Sequence, residues 1–125
     1  MSHFTTINTQ LKDIAALREA CRELGVELIE NTQARGYGGN AHKGEYVIKL
    51  KGPYDIALQR QKDGTYGLTT DWWAGHVEKE VGPQFGRLLQ LYAVHKTRIE
   101  ARRKGFTVCR QSLADGSIRL TLGGI

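Results

Sequence analysis

"DIALQRQKDGTYGLTTDWW", residues 55–73, sets two alternating runs on either side of Asp63-Gly64. Asp-Gly supplies the positive φ angles that a tight hairpin turn needs, so the stretch predicts two antiparallel strands joined at 63–64. "GFTVCRQSLADGSIRLTL", residues 105–122, repeats the pattern around Asp115-Gly116. Strands that follow one another through short turns build antiparallel sheets, whereas parallel neighbours need a long crossover between them. The first hairpin runs into Trp72 and Trp73, and the chain has no other Trp. Neighbouring side chains of a strand point to opposite faces, so the two rings are driven apart and only one can enter a single core layer.

Working outward, residues 2–9, "SHFTTINT", are rich in Thr, Phe and Ile and read as a first strand. Asp13 is placed to cap a helix carrying Ile14, Leu17, Cys21 and Leu24 at helical spacing, with Gly25 as its stop. That stripe is narrow, as for a helix lying on a sheet. "VELIEN", 26–31, and "EYVIKL", 45–50, read as two further strands. Between the hairpins, 83–104 opens with Pro83, and Phe85, Leu88, Leu89, Tyr92, His95 and Ile99 recur at three- and four-residue steps. This is an amphipathic helix. The expected order is β-α-β-β-β-β-α-β-β. It corresponds to a single α+β domain over 1–125, with a mostly antiparallel sheet of about six strands and both helices on one face.

A chain of 125 residues can bury an adequate core without staples. Its 40% hydrophobic and 25% charged residues are ordinary for a globular protein. No apolar run is long enough for a membrane span. The opening "MSHFTTINTQLKD" lacks the charged and apolar regions of a signal peptide, so the expected location is the cytoplasm. Cys21 and Cys109 are expected as reduced thiols packed like small hydrophobes. The net charge of +5 is unevenly spread. Residues 83–104 hold six basic residues and one acid, a balance equal to that of the whole chain.

These features resemble one family. "MSHFTTINTQLKD" at 1–13, "RGYGGN" at 35–40, the Asp-Gly hairpin leading into "DWW" at 71–73 and "ARRKGFTVCRQSLADGSIRL" at 101–120 resemble, in the same order, the family called hypothetical chloroplast open reading frame 35. The segment "LKGPYDIALQRQ" is less typical of it. The resemblance implies a small protein of cyanobacteria, algal plastids, other bacteria and some phages. It lends no catalytic residues. It also implies genes near those of an AAA-type ATPase and a small ferredoxin-like protein, and so an accessory role in a larger assembly.

Several residues are candidates for a site, each with a plainer structural reading. "ARGYGGNAHKGEY", 34–46, gathers four glycines around Arg35, Tyr37 and Lys43, which together could hold an anion on backbone amides. It lacks the Gly-Lys-Ser/Thr of a phosphate loop and the spacing of a dinucleotide fold. The plainer reading is a mobile connection with few backbone hydrogen bonds. Trp72 or Trp73 could stack on a partner, or both could be structural. On the basic helix, Arg87, Arg98 and Arg102 fall within about 60° of one another, as a track for an acidic surface or simply as a solvated flank.

His3, His42, His76 and His95 are scattered, with His95 on the apolar stripe, and no spacing supports a metal site or acid–base chemistry. Asp71 could be a tuned carboxylate, but an aspartate after a strand more often accepts a turn hydrogen bond. No motif demands a cofactor. The expectation is a non-enzymatic protein-binding domain, and the alternative is a nucleic-acid-binding domain that uses the basic helix with an exposed Trp.

Overall fold

The computed structural model describes residues 4–124. Strands β1 (Phe4–Asn8), β2 (Glu27–Arg35), β3 (Ala41–Lys49), β4 (Ile56–Arg60) and β5 (Tyr66–Asp71) form one sheet in the order β1-β5-β4-β3-β2. Every pairing in it is antiparallel. β6 (Thr107–Ser112) and β7 (Ile118–Gly123) pair only with each other. The helices are α1 (Ile14–Leu24), the single turn α2 (Glu78–Val81) and the long α3 (Gly86–Arg103). The expected six-stranded sheet is therefore a five-stranded sheet with a separate terminal hairpin. Residues 2–3 of the expected first strand, and His3, lie outside the described residues.

α1 forms where its caps allow. The Asp13 carboxylate accepts the Ala16 amide at 3.2 Å, and Gly25 takes the left-handed conformation at φ 74°. Ala16, Leu17, Ala20 and Cys21 of α1 meet Leu88, Leu91 and Tyr92 of α3 over Leu28, Ile48, Ile56, Leu58, Tyr66 and Leu68 of the sheet. Both long helices thus cover one face. Burying a leucine completely stabilises by roughly 1.5–3 kcal/mol, so this layer dominates the stability. On the other face Ala34, Val47 and Ala57 form a small second cluster.

That second cluster records a kink. Leu28 belongs to the helix-side core and Ala34 to the opposite cluster, although strict alternation would place both on one side. Asn31 between them is left-handed at φ 48°, and pairing resumes in register from Glu30↔Tyr46 to Thr32↔Gly44. The far half of the β2–β3 hairpin is thereby turned onto the helix-free face. Gly44 permits this close approach: a Cβ there would stand 2.6 Å from the Tyr46 carbonyl oxygen.

The strands read at 26–31 and 45–50 are consequently longer, and the glycine segment is no loose connection. Ala34↔His42 and Arg35↔Ala41 are ladder pairs, and the Gly36 amide donates to the Asn40 carbonyl at 2.8 Å. Pro83 begins a tight turn before α3 and is not the first residue of a continuous helix. Gln84 and Phe85 there hold φ of 52° and 64°. Such strain costs on the order of 1 kcal/mol per residue, and here it accompanies complete burial of Phe85.

Candidate functional site

Asp71 closes β5 opposite Phe4 of β1 and is buried. One carboxylate oxygen accepts the Trp73 amide at 3.0 Å, the turn bond expected of an aspartate after a strand. The other accepts the Tyr37 amide at 3.0 Å, from the tip of the folded-over hairpin. One side chain therefore fixes two backbone positions 36 residues apart. The rings that follow meet edge to face, with centroids 5.4 Å apart and an interplanar angle of 68°. Each of the two residues is 43% exposed.

Trp72 turns the other way. Its ring packs at 4.7 Å from Phe85 and against the main core. The strand ends at Asp71, and left-handed Ala74 and Gly75 carry the chain away, leaving Trp73 on the surface. Gly36 is needed beside this pair, because a Cβ there would lie 2.6 Å from Phe4 Cζ. The Phe4 ring in turn lies 5.2 Å from that of His42. Tyr54 and His76 form a second edge-to-face pair at 5.3 Å. The Tyr54 hydroxyl titrates above the ordinary phenol range, first through burial and then through the negative charge of Asp71.

Arg35 belongs to a structural ion pair. Its Nε and Nη2 each donate to the Asp55 carboxylate at 2.8 Å, and Nη2 also donates to the Gly52 carbonyl at 2.9 Å. Asp55 is fully buried and also accepts the Arg35 and Leu50 amides and Lys49 Nζ. Burial alone would raise its pKa. The hydrogen bonds from Arg35 and Leu50 outweigh that and hold it below the usual carboxylate range. This pair fastens the hairpin arm to the sheet. Lys43 is exposed on β3 of the same arm. Of the three loop candidates the structure brings Tyr37 to Trp73, and commits the Arg35 guanidinium to Asp55.

The arginines of the long helix divide between its two ends. Arg98 and Arg102 border an open depression of about 270 Å³ with Ala15, Glu19, His95 and Ile99. Arg87 sits at the other end of α3, beside Gly82. About 24 Å of helix separates Gly86, next to the Trp72–Phe85 contact, from Arg102. Arg98 and Arg102 thus lie about 18 and 24 Å along α3 from its Gly86 end.

Glu23, His95 and Arg110 meet in a way that the sequence does not announce. Glu23 of α1 receives Arg110 of β6 at 2.9 and 2.7 Å and shares a 2.8 Å hydrogen bond with His95 of α3. The Arg110 hydrogen bonds, helped by His95 and opposed by burial, hold Glu23 down to about 2. These contacts tie the terminal hairpin to both helices, and no local spacing announces them. Cys21 is buried, and burial pushes its thiol up to about 12, whereas Cys109 lies exposed on β6 rather than packed. Among the described residues no cluster of His, Cys, Asp or Glu could hold a metal ion, and no helix is long and apolar enough to cross a membrane.

Fold and surface define a small α+β protein with a helix-covered antiparallel sheet and a clamped aromatic pair on its open side. The chain belongs to the family described as "Protein of unknown function (DUF1257)", whose model matches residues 20–121. It is similar to "Uncharacterized protein ycf35" of Pyropia yezoensis, 31% identical over 96% of this chain and 94% of the relative. "Uncharacterized protein ycf35" of Guillardia theta is 27% identical over 98% of this chain and 96% of its own length. No solved structure matches.

Proposed function

We propose that the protein is a non-catalytic protein-binding domain that uses Trp73 and Tyr37 as its anchor. The observation that supports this is the clamp: two large aromatic residues stay 43% exposed while one buried carboxylate fixes both of their amides. Aromatic anchors dominate protein interfaces, and an anchor already held in place loses little freedom on binding. The partner we propose is a component of an AAA-type ATPase system, on the resemblance drawn from the sequence.

The test is affinity capture from extracts of the native cell with the parent, Trp73→Ala and Tyr37→Ala, followed by a binding titration with the recovered partner. Losing a true anchor weakens binding by about 2 kcal/mol or more, which is roughly thirtyfold. Equal capture and equal affinity for all three proteins overturn the reading.

A second reading rests on Arg98 and Arg102 side by side in one open depression. If these residues hold nucleic acid, affinity falls steeply as salt rises, and replacing either Arg reduces that slope by about one. The protein-binding reading expects no such slope.

A further inference from the structure

We propose that β7 pairs with β7 of a second copy of this chain, antiparallel about Leu120, and so builds a four-stranded sheet across two protomers. The inference goes beyond the Tyr37–Trp73 anchor and uses a different surface.

The two Asp-Gly hairpins turn alike. Gln61 donates to the Thr65 carbonyl at 2.7 Å and Gly64 to that of Gln61 at 3.0 Å. Leu113 donates to the Ser117 carbonyl at 2.9 Å and Gly116 to that of Leu113 at 3.1 Å. Tyr66 and Ile118 are therefore equivalent positions. Each is the first residue after its turn whose N–H and C=O point away from the partner strand. In the first hairpin those groups are taken. Thr9 donates to the Tyr66 carbonyl at 3.3 Å, Tyr66 donates to the Leu11 carbonyl at 2.9 Å, and β1 runs on along β5. In the second hairpin the equivalent groups of Ile118, Leu120 and Leu122 meet no hydrogen-bond partner among the described residues, where β7 pairs with β6 alone. The terminal hairpin thus stops one strand short of its twin, and two strands by themselves are marginal.

The side chains leave the same gap. Ile118 and Leu120 are only half-buried, and Leu122 is 50% exposed. Arg119 and Thr121 alternate with them and are exposed. β7 has no proline, no kink and a single charge, so it lacks the devices that keep strands off an edge.

The order of residues in β7 selects its own twin. Pairing about Leu120 sets Leu120 against Leu120 and Ile118 against Leu122 of the second copy, with about six hydrogen bonds between the chains. Every outward position then meets an apolar one, and one contact satisfies the edge groups of both copies. Arg119 faces Thr121 of the second copy, whereas moving the axis to Arg119 would set two guanidiniums opposite each other. The other edges fail this test. On β6 the corresponding axis passes through Arg110, which would meet its own twin and already holds Glu23. On β1 it sets Phe4 against Asn8, and β2 carries Glu27 and Glu30 and is kinked at left-handed Asn31. The β7 contact is self-complementary and closes as a two-fold dimer.

The test follows the whole 125-residue chain by sedimentation equilibrium from about 1 μM to about 1 mM. The expected result is a monomer–dimer equilibrium. Each copy carries +5, so added salt should tighten the dimer. Amide exchange at Leu120 and Leu122 should slow as concentration rises. Samples mixing two isotope labels should show NOEs from Ile118 to Leu122 of the second copy. Leu122→Pro removes an outward amide that β6 does not use, and should weaken the dimer at least about tenfold while the amides of β6 keep their protection. Thr121→Glu brings a carboxylate opposite Arg119 of the second copy and should tighten the dimer about threefold or more, and Thr121→Lys should weaken it by a similar factor. Ala114→Glu, in the turn outside the paired strands, makes the same charge change as Thr121→Glu and should have a smaller effect.

A monomer throughout that range would overturn the proposal. So would a dimer that Leu122→Pro leaves unchanged, one that Thr121→Glu and Thr121→Lys shift in the same direction, or one that Ala114→Glu tightens as much as Thr121→Glu. Trp73→Ala should dimerise as the parent does, so loss of anchor-dependent capture and loss of the dimer are separable results.

Discussion

The carboxylate of Asp71 and the amide of Tyr37, 34 positions apart in sequence, stand 3.0 Å from each other, and the same carboxylate holds Trp73 two residues downstream. A neutral amide cannot repeat this, because an Asn side chain presents one acceptor and one donor to two N–H groups. Asp71→Asn should lose about 1–3 kcal/mol of unfolding free energy and release the Tyr37–Trp73 contact. Denaturant melts and amide exchange at Tyr37 check both parts. Parental protection at Tyr37 would show that the clamp is dispensable.

The two tryptophans should behave differently. Trp72→Ala removes a ring packed on Phe85 and the core and should cost about 2–4 kcal/mol. Trp73→Ala leaves the core intact and should cost about 1 kcal/mol or less. Equal losses in urea titrations would mean that the surface ring is as structural as the buried one.

Gly36 and Phe4 form a testable steric pair. Gly36→Ala should destabilise by about 1–3 kcal/mol, because its Cβ would lie 2.6 Å from Phe4 Cζ. The double substitution Gly36→Ala with Phe4→Ala should cost clearly less than the two single changes added together. Strict additivity would place the strain elsewhere.

Acid should loosen the terminal hairpin. The Glu23 pKa is lowered from 4.5 to about 2, chiefly by the Arg110 hydrogen bonds. A lowered folded-state value means that this contribution is complete above the unfolded pKa and is lost as pH falls from about 4.5 towards 2. Amide exchange in β6 and β7, corrected for intrinsic rates, should rise relative to β4 over that window. Glu23→Gln should remove most of the difference.

Much of the fold is legible in the sequence because it depends on neighbours. The Asp-Gly turns at 63–64 and 115–116, the Asp13 cap and the Gly25 stop each act within a few residues, and each lies where it is expected. The order of seven strands follows from them. The folded-over arm is not legible. It depends on Asn31 in a left-handed conformation and on Asp55 meeting Arg35, twenty residues apart, and either alone resembles an ordinary surface residue. Strand alternation separates Trp72 from Trp73, but only the Phe85 contact determines which ring turns inward. The arginine flank of the long helix is visible as spacing, yet the depression that Arg98 and Arg102 share with Ala15 and Glu19 of α1 appears only in three dimensions.

The position of β1 beside β5, four strands away from β2, has a consequence for synthesis. β3, β4 and β5 can each pair on leaving the ribosome, because each neighbours the strand made just before it. β1 is made before the other strands of its sheet, and β5, the strand it pairs with among the described residues, is made last and ends at Asp71. Later still comes α3, whose Leu88, Leu91 and Tyr92 close the core, so the sheet spends a few seconds of translation without its lid at about 5–20 residues per second. A growing chain in that interval presents an apolar face covered only by α1, and β1 is the last strand of the sheet to be claimed.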